Sequence, residues 1–210
     1  MNAFRRTLVL VRHGQSEDNA QDLFSGLRDP ALTPRGVEEA HAAGRALKDL
    51  GLDVSHAFTS KLRRAQQTLA LILEELGRAD LHPHADAALN ERDYGALAGL
   101  NKTEARARFG REQVRSWRKS YDATPPSGES LATTAVRAWA FYEQAIAPRL
   151  REGGCVLVVG HGNTLRSMLM RLDGINAQDI EEVNIGTAEF LVYVMAPDGR
   201  LNRSLLQSVA

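Results

Sequence analysis

Two segments leave this chain little choice of architecture. Thr7-Leu8-Val9-Leu10-Val11 and Val156-Leu157-Val158-Val159 are unbroken apolar runs rich in β-branched residues. Strands of that kind are buried on both faces, which requires a mainly parallel sheet with helices on either side. Each run stops at a histidine beside glycine: Arg12-His13-Gly14 after the first and Gly160-His161-Gly162 after the second. A sheet that carries two such strand ends has a natural place for a ligand, because open parallel sheets collect ligands at the carboxyl ends of their strands.

The segments between follow a strand–helix alternation. Thr33-Pro34 reads as an N-cap and first helical position, and Val37, Ala40, Ala43, Leu47 and Leu50 give an apolar stripe that Gly51 ends. Ala57-Phe58-Thr59 suits a short strand. A second helix carries Ala65, Leu69, Ile72, Leu73 and Leu76 on one face, with Gly77 at its end. From Leu81 to Leu100 the pattern breaks into a short strand and loops. Lys102 to Ser120 reads as a charged helical excursion that buries little, stopped by Pro125-Pro126-Ser127-Gly128. Ser130 caps a long helix to Leu150, with Val136, Trp139, Ile146 and Leu150 inward and Pro148 bending or ending it. Asn163 to Leu172 continues as helix after the second strand. Phe190 to Met195 is a third apolar run, followed by the hairpin-type turn Pro197-Asp198-Gly199. The expectation is an α/β fold in three layers, a mainly parallel sheet covered by helices on both faces. Residues 1–210 form one domain, with 90–128 as a helical lid.

Composition narrows the partners. Lys plus Arg and Asp plus Glu each number 26, so the formal net charge is zero, which argues against a nucleic-acid or anionic-membrane binder held by bulk charge. A hydrophobic content of 43% with 25% charged residues is that of an ordinary globular chain. The single cysteine, Cys155, excludes an intramolecular disulfide and any cysteine-based zinc site. No apolar stretch approaches the ~18 residues of a membrane span. The N-terminal Asn2-Ala3-Phe4-Arg5-Arg6 leads into too short an apolar run for a signal-peptide core. A soluble, cytoplasmic protein is expected.

The chemistry follows from the strand ends. Set side by side, the two apolar strands would bring His13 and His161 close together, with Arg12 and Arg166 nearby in sequence. Lys61-Leu62-Arg63-Arg64 opens a helix at the end of another strand, and a helix start favours an anion. Glycines 14 and 162 would let the backbone approach a ligand. The inferred ligand is phosphate. Neutral imidazole is a competent nucleophile near pH 7, and neighbouring arginines would both keep His13 neutral and offset charge on phosphoryl oxygens. His161, protonated once a dianion is bound, would donate a hydrogen bond to the same oxygens. Fixed cations replace a metal. The leaving oxygen needs a proton donor, and Glu91 in the polar loop Leu89-Asn90-Glu91-Arg92 is the candidate. His82 and His84 flank a proline and read as a solvated strand edge. Trp117 and Trp139 read as packing residues.

Leu8-Val9-Leu10-Val11-Arg12-His13-Gly14-Gln15-Ser16 resembles the signature of the histidine phosphatase superfamily. Leu89-Asn90-Glu91-Arg92-Asp93-Tyr94-Gly95-Ala96-Leu97, Gly99-Leu100-Asn101-Lys102 and Gly160-His161-Gly162-Asn163-Thr164-Leu165-Arg166 narrow the resemblance to the 2,3-bisphosphoglycerate-dependent phosphoglycerate mutases of glycolysis and gluconeogenesis. It runs from about Thr7 to Tyr193. The resemblance implies that His13 is phosphorylated, that Arg12, Arg64 and His161 hold the transferred group, and that Glu91 is the general acid and base. It also implies that Asn19, Gly162 and Asn163 line the same pocket and that Ser25 and Gly26 contact substrate. Tyr94, Lys102, Arg118 and Lys119 match positions that hold the carboxylate and second phosphate.

The implied activity is an isomerase that interconverts 3-phosphoglycerate and 2-phosphoglycerate through a phosphohistidine, primed by 2,3-bisphosphoglycerate and without a metal. Its partners would be small-molecule phosphoglycerates, with homo-oligomerisation left open. Three departures stand out. Gln15 replaces a common Glu, and Lys119 replaces a common second Arg, which keeps charge but loses the planar fork. The chain is also shorter between Pro126 and Glu129 than the longer mutases and lacks their charged C-terminal extension, which would leave the pocket more open to water. Two other readings remain: a phosphomonoesterase on the same scaffold with water as acceptor, and a non-catalytic phosphate-binding module.

Overall fold

The computed structural model describes residues 6–207, so the N-terminal Asn2 to Arg5 lie outside the described residues. β1 (Thr7–Arg12) and β4 (Cys155–Gly160) pair in parallel at the centre of a six-stranded sheet. β2 (Val54–Thr59) flanks β4, and β3 (His84–Ala85) forms the edge beyond it. On the other side β5 (Phe190–Met195) and β6 (Leu201–Gln207) add antiparallel, giving the order β3-β2-β4-β1-β5-β6. The sheet is mainly parallel, as the apolar runs predict, and the C-terminal turn adds a second antiparallel strand.

Alternate side chains of the two central strands feed two cores. Leu8, Leu10, Val156 and Val158 face α6 (Leu131–Phe141), α7 (Ala147–Glu152) and α8 (Gly162–Leu172). Val9, Val11, Leu157 and Val159 face α2 (Pro34–Asp49) and α3 (Arg63–Glu75). All eight strand side chains are fully buried, each worth roughly 1.5–3 kcal/mol relative to exposure. A third, small cluster of Phe24, Leu97, Ala105 and Val114 lies apart from these, under α4 (Lys102–Phe109) and α5 (Arg111–Lys119). Trp117 packs edge-on against Phe109 there.

Four local expectations change. The excursion over Lys102–Ser120 is two helices rather than one, because Gly110 at φ +84° turns the chain between them. The helix from Ser130 does pass Pro148, but a π-helical segment at Tyr142–Ile146 precedes it. There the Ala147 N–H reaches Tyr142 O, one residue further back than in an α-helix, and Pro148 falls in the first turn of α7, where its missing N–H is harmless. Val136 is 70% exposed, since Leu131, Thr134, Ala138 and Phe141 form the buried row of α6. Val37 is 37% exposed because the buried row of α2 begins one residue earlier, at Gly36. A Cβ on Gly36 would lie 2.0 Å from the Gln15 carbonyl oxygen. The helix is thus rotated to press its bare backbone on the loop that follows His13.

Candidate active site

The parallel register of β1 with β4 places Arg12 opposite Gly160. The next residue, His13, donates its backbone N–H to the Gly160 carbonyl at 3.0 Å, so the two histidines leave the sheet as neighbours. Their ring centroids are 5.0 Å apart in an edge-to-face arrangement. His13 Nδ1 lies 2.7 Å from the Gly14 carbonyl. A carbonyl only accepts, so this nitrogen carries the proton and Nε2 keeps its lone pair. Arg64 Nε donates to that lone pair at 3.2 Å. Burial, reinforced by Arg64 and Arg12, holds the His13 pKa well below the usual histidine range. The ring is neutral, and its free electron pair faces a guanidinium.

Arg64 sits at the start of α3 and is itself fixed, donating to the carbonyls of Arg28 at 2.7 Å and Gly26 at 3.0 Å. Its neighbour Arg63 takes no part, binding Asp29 at the surface. Arg12 Nη1 donates to Ile185 O at 2.6 Å, while its buried Nε has no partner among the described residues. Glu91 accepts the backbone N–H of Arg92 at 2.8 Å and that of Asn163 at 3.2 Å. Arg137 on α6 holds this loop by donating to the carbonyls of Ala88, Asn90 and Glu91. Nothing in its sequence setting marked Arg137 out for that duty.

A cavity of about 150 Å³ opens above these groups. Its wall includes Arg12, His13, Asn19, Ser25, Gly26, Arg64, Glu91, Tyr94, Lys102, Arg118, Lys119, Gly162 and Asn163. Asn19 is set by the short helix α1 (Glu17–Ala20), where it and Ser16 form a capping box directly after the His13 loop. The Tyr94 hydroxyl accepts from Arg92 Nη2 and Asn163 Nδ2, leaving its own hydrogen for another acceptor. Lys102 opens α4 and pairs with Asp22 at 2.9 Å. Arg118 and Lys119 end α5, whose last carbonyls are gripped by Arg92 and Arg166. Lys119 binds the Asn184 side chain, and burial with the charges of Arg166 and Arg118 brings its pKa down to about 8.

His161 is fully buried beside His13, exposing no surface to the open cavity. Burial, with Arg64, His13 and Arg12 around it, keeps its pKa well below the ordinary value, so the ring is neutral before an anion arrives, which leaves the expected protonation on dianion binding untouched. Gly14 is bare for packing rather than for a ligand, since a Cβ there would meet the Gly36 carbonyl oxygen at 2.2 Å. Gly162 does face the site: a Cβ would stand 3.8 Å from Arg12 Nε and Glu91 Oε2. The wall also holds Arg166, which the sequence places near the second histidine, and Leu23, Phe24, Asn184 and Ile185, which no sequence feature singles out. Gln15 lies outside the wall, its side chain accepting from the Thr33 hydroxyl at 2.9 Å. The short turn after Pro125 closes through a Gly128 N–H to Pro125 O bond of 3.0 Å and is also absent from the wall.

The family model of the histidine phosphatase superfamily (branch 1) matches residues 8–206. The chain belongs to that superfamily. Within it, the 2,3-bisphosphoglycerate-dependent phosphoglycerate mutase of Allorhizobium ampelinum is 54% identical over 192 residues, covering 91% of each chain. The protein of the same name from Brucella anthropi is 52% identical over 92% of this chain and 94% of its own. Among solved structures, a putative α-ribazole-5'-phosphate phosphatase from Escherichia coli superposes with a TM-score of 0.81 at 25% identity, over 99% of this chain and 98% of its own. A mycobacterial glucosyl-3-phosphoglycerate phosphatase gives 0.83 at 24%, over 98% and 100%. These structural likenesses cover the histidine phosphatase fold, while the closer sequence relatives carry the mutase name.

Proposed function

We propose that this superfamily member is an isomerase, a phosphoglycerate mutase that interconverts 3-phosphoglycerate and 2-phosphoglycerate through phosphorylated His13. The observation that carries the reading is the polarity of the cavity. Six cationic side chains, Arg12, Arg64, Lys102, Arg118, Lys119 and Arg166, surround one carboxylate, Glu91. Three of those cations, Lys102, Arg118 and Lys119, come from helices remote in sequence from the histidines. A hydrolase acting on any phosphate ester needs only the His13 end. A molecule with a carboxylate and phosphate at the far end uses both.

The residues also fit a 2,3-bisphosphoglycerate cofactor: the buried Nε atoms of Arg12 and Arg166 have no hydrogen-bond partner among the described residues, as expected of donors kept for a multiply charged anion. When bound, that molecule supplies the phosphoryl group that primes the site. His13 Nε2 then holds the phosphoryl group. Arg12, Arg64 and His161 surround its oxygens, and their fixed positions stabilise charge in the transfer. The free hydroxyl of the monophosphate attacks phosphorus, the P–N bond to His13 breaks, and Glu91 takes the hydroxyl proton. For the return step His13 Nε2 attacks the phosphoryl group at the other carbon, and Glu91 gives its proton to the departing oxygen. Lys102, Arg118, Lys119 and Tyr94 hold the unreacting end. In this reading residues 90–128 serve as a lid within a single domain, bringing those cations over the strand ends and limiting access of water to His13. No step calls on a metal.

One paired assay tests the proposal. Isomerisation should be stimulated by 2,3-bisphosphoglycerate and should far outpace release of inorganic phosphate, and His13→Ala should abolish both. Phosphate release as the faster reaction would make the protein a phosphomonoesterase. Substantial isomerisation by the alanine variant would remove the mechanism altogether.

A further inference from the structure

Ser60, the residue after β2, is fully buried and plays no part in the scheme so far. Its hydroxyl oxygen lies 2.7 Å from His161 Nε2. The same oxygen accepts the backbone N–H of Leu62 at 3.1 Å, and the Ser60 carbonyl accepts from Gln66. The serine is therefore held from two sides at the start of α3. On the other side of the imidazole, His161 Nδ1 is buried and has no hydrogen-bond partner among the described residues.

His161 is neutral, so its ring carries one proton, and the choice of nitrogen decides what it offers. Suppose the proton were on Nε2. It would be donated to Ser60, the serine hydrogen would lose its acceptor, and the Nδ1 lone pair would also be bare. Two buried polar groups would then be unsatisfied. With the proton on Nδ1, the Ser60 hydroxyl donates to Nε2, accepts from Leu62, and only the Nδ1–H is left over. Each unsatisfied buried group costs about 1–3 kcal/mol, so hydrogen-bond accounting favours the second arrangement. The leftover donor is also what an anion needs. His161 is the N-cap of α8, so it stands at the positive end of that helix.

We propose that Ser60 is a positioning residue that fixes His161 as the Nδ1–H tautomer, keeping a donor ready for a phosphoryl oxygen without requiring an imidazolium. The inference rests on the reading of His161 as a group that holds the transferred phosphoryl. It explains how a histidine kept neutral by its surroundings still serves as a donor. It also assigns a chemical duty to a serine that would otherwise count only as a cap for the Leu62 amide.

The test uses the full chain with ¹⁵N-labelled histidine. In the wild-type spectrum His161 should be protonated at Nδ1, both free and with orthovanadate added as a phosphoryl analogue. Ser60→Ala should give a mixture of tautomers and lower kcat by about 10- to 100-fold, the scale seen when an orienting partner of a reacting group is lost, with KM for 3-phosphoglycerate little changed. A purely structural serine would move the melting temperature and leave the tautomer alone. Wild-type His161 protonated at Nε2 overturns the proposal, even if the alanine variant does not fold. So does a folded Ser60→Ala protein with wild-type kcat. A separate His161→Ala variant keeps the two ideas apart: near-normal turnover there would remove the phosphoryl-holding role itself, whereas an inactive variant alongside an Nε2–H wild type would sink only the role of Ser60.

Discussion

Lys119 lines the far end of the cavity, and its surroundings make its charge measurable. Its ammonium group is half-buried beside Arg166 and Arg118, which brings its pKa to about 8. A lowered lysine pKa means that charge is present below that value and lost as pH rises through it. We expect kcat/KM for 3-phosphoglycerate to fall as pH rises through about 8, because free enzyme with neutral Lys119 grips the far end of the substrate less well. Lys119→Arg should remove that alkaline fall, since a guanidinium keeps its proton throughout. A wild-type profile that stays level from pH 7 to 9.5, or an arginine variant that retains the fall, would contradict this. At this scale the sequence spoke clearly where a motif framed the residue. His13, Glu91 and His161 follow from strand ends and a polar loop. Asn184 and Ile185 belong to no pattern. They reach the cavity because Arg12 donates to the Ile185 carbonyl and Arg166 to that of Ile180, tethers between segments that only the folded chain reveals.

The helices show where periodicity stops being a guide. The apolar stripe of α2 predicts an inward Val37, yet the observed phase is set by Gly36. Close contact with the Gln15 backbone outweighs burial of one valine, and no count of apolar residues contains that information. The same contact makes α2 a support for the reacting loop. Gly36→Ala would place a methyl group 2.0 Å from the Gln15 carbonyl oxygen, and backbone must shift to admit it. We expect a loss of roughly 1–3 kcal/mol in urea-melt stability. A fall in kcat should accompany it, because Gln15 lies two residues from His13 and small misplacements are costly in a preorganised site. Unchanged melts together with unchanged kcat would show that the loop yields freely. The π-helical turn before Pro148 was likewise invisible in sequence. Proline announces that a helix must adjust, but not whether it will bend, end or widen by one residue. The Gly110 break has the opposite character: a glycine was present to be read, and the charge on both sides obscured it.

At the level of the whole molecule, zero net charge hides a strong internal asymmetry. Salt bridges such as Arg45 with Glu38 and Arg149 with Glu152 balance charge across the surface, while the cavity gathers six cations around a single carboxylate. The three-layer sheet and the location of the site were legible because two apolar strands both ended at histidine. The internal arrangement of the excursion over the site was not, since its charged sequence carries little periodic signal. The cation-lined site leads to one further expectation. Isomerisation should survive prolonged treatment with a strong chelator undiminished, measured at saturating 2,3-bisphosphoglycerate. Activity that disappears and returns with a divalent ion would show that the guanidinium groups do not suffice.

The bond from the His13 amide to the Gly160 carbonyl joins positions 147 residues apart along the chain. The two imidazoles thus each hang directly from one of the two innermost strands, with no flexible connector between strand and ring. Warming should not part these two rings before the sheet itself melts. Catalytic decay and the circular-dichroism transition should therefore trace a single curve.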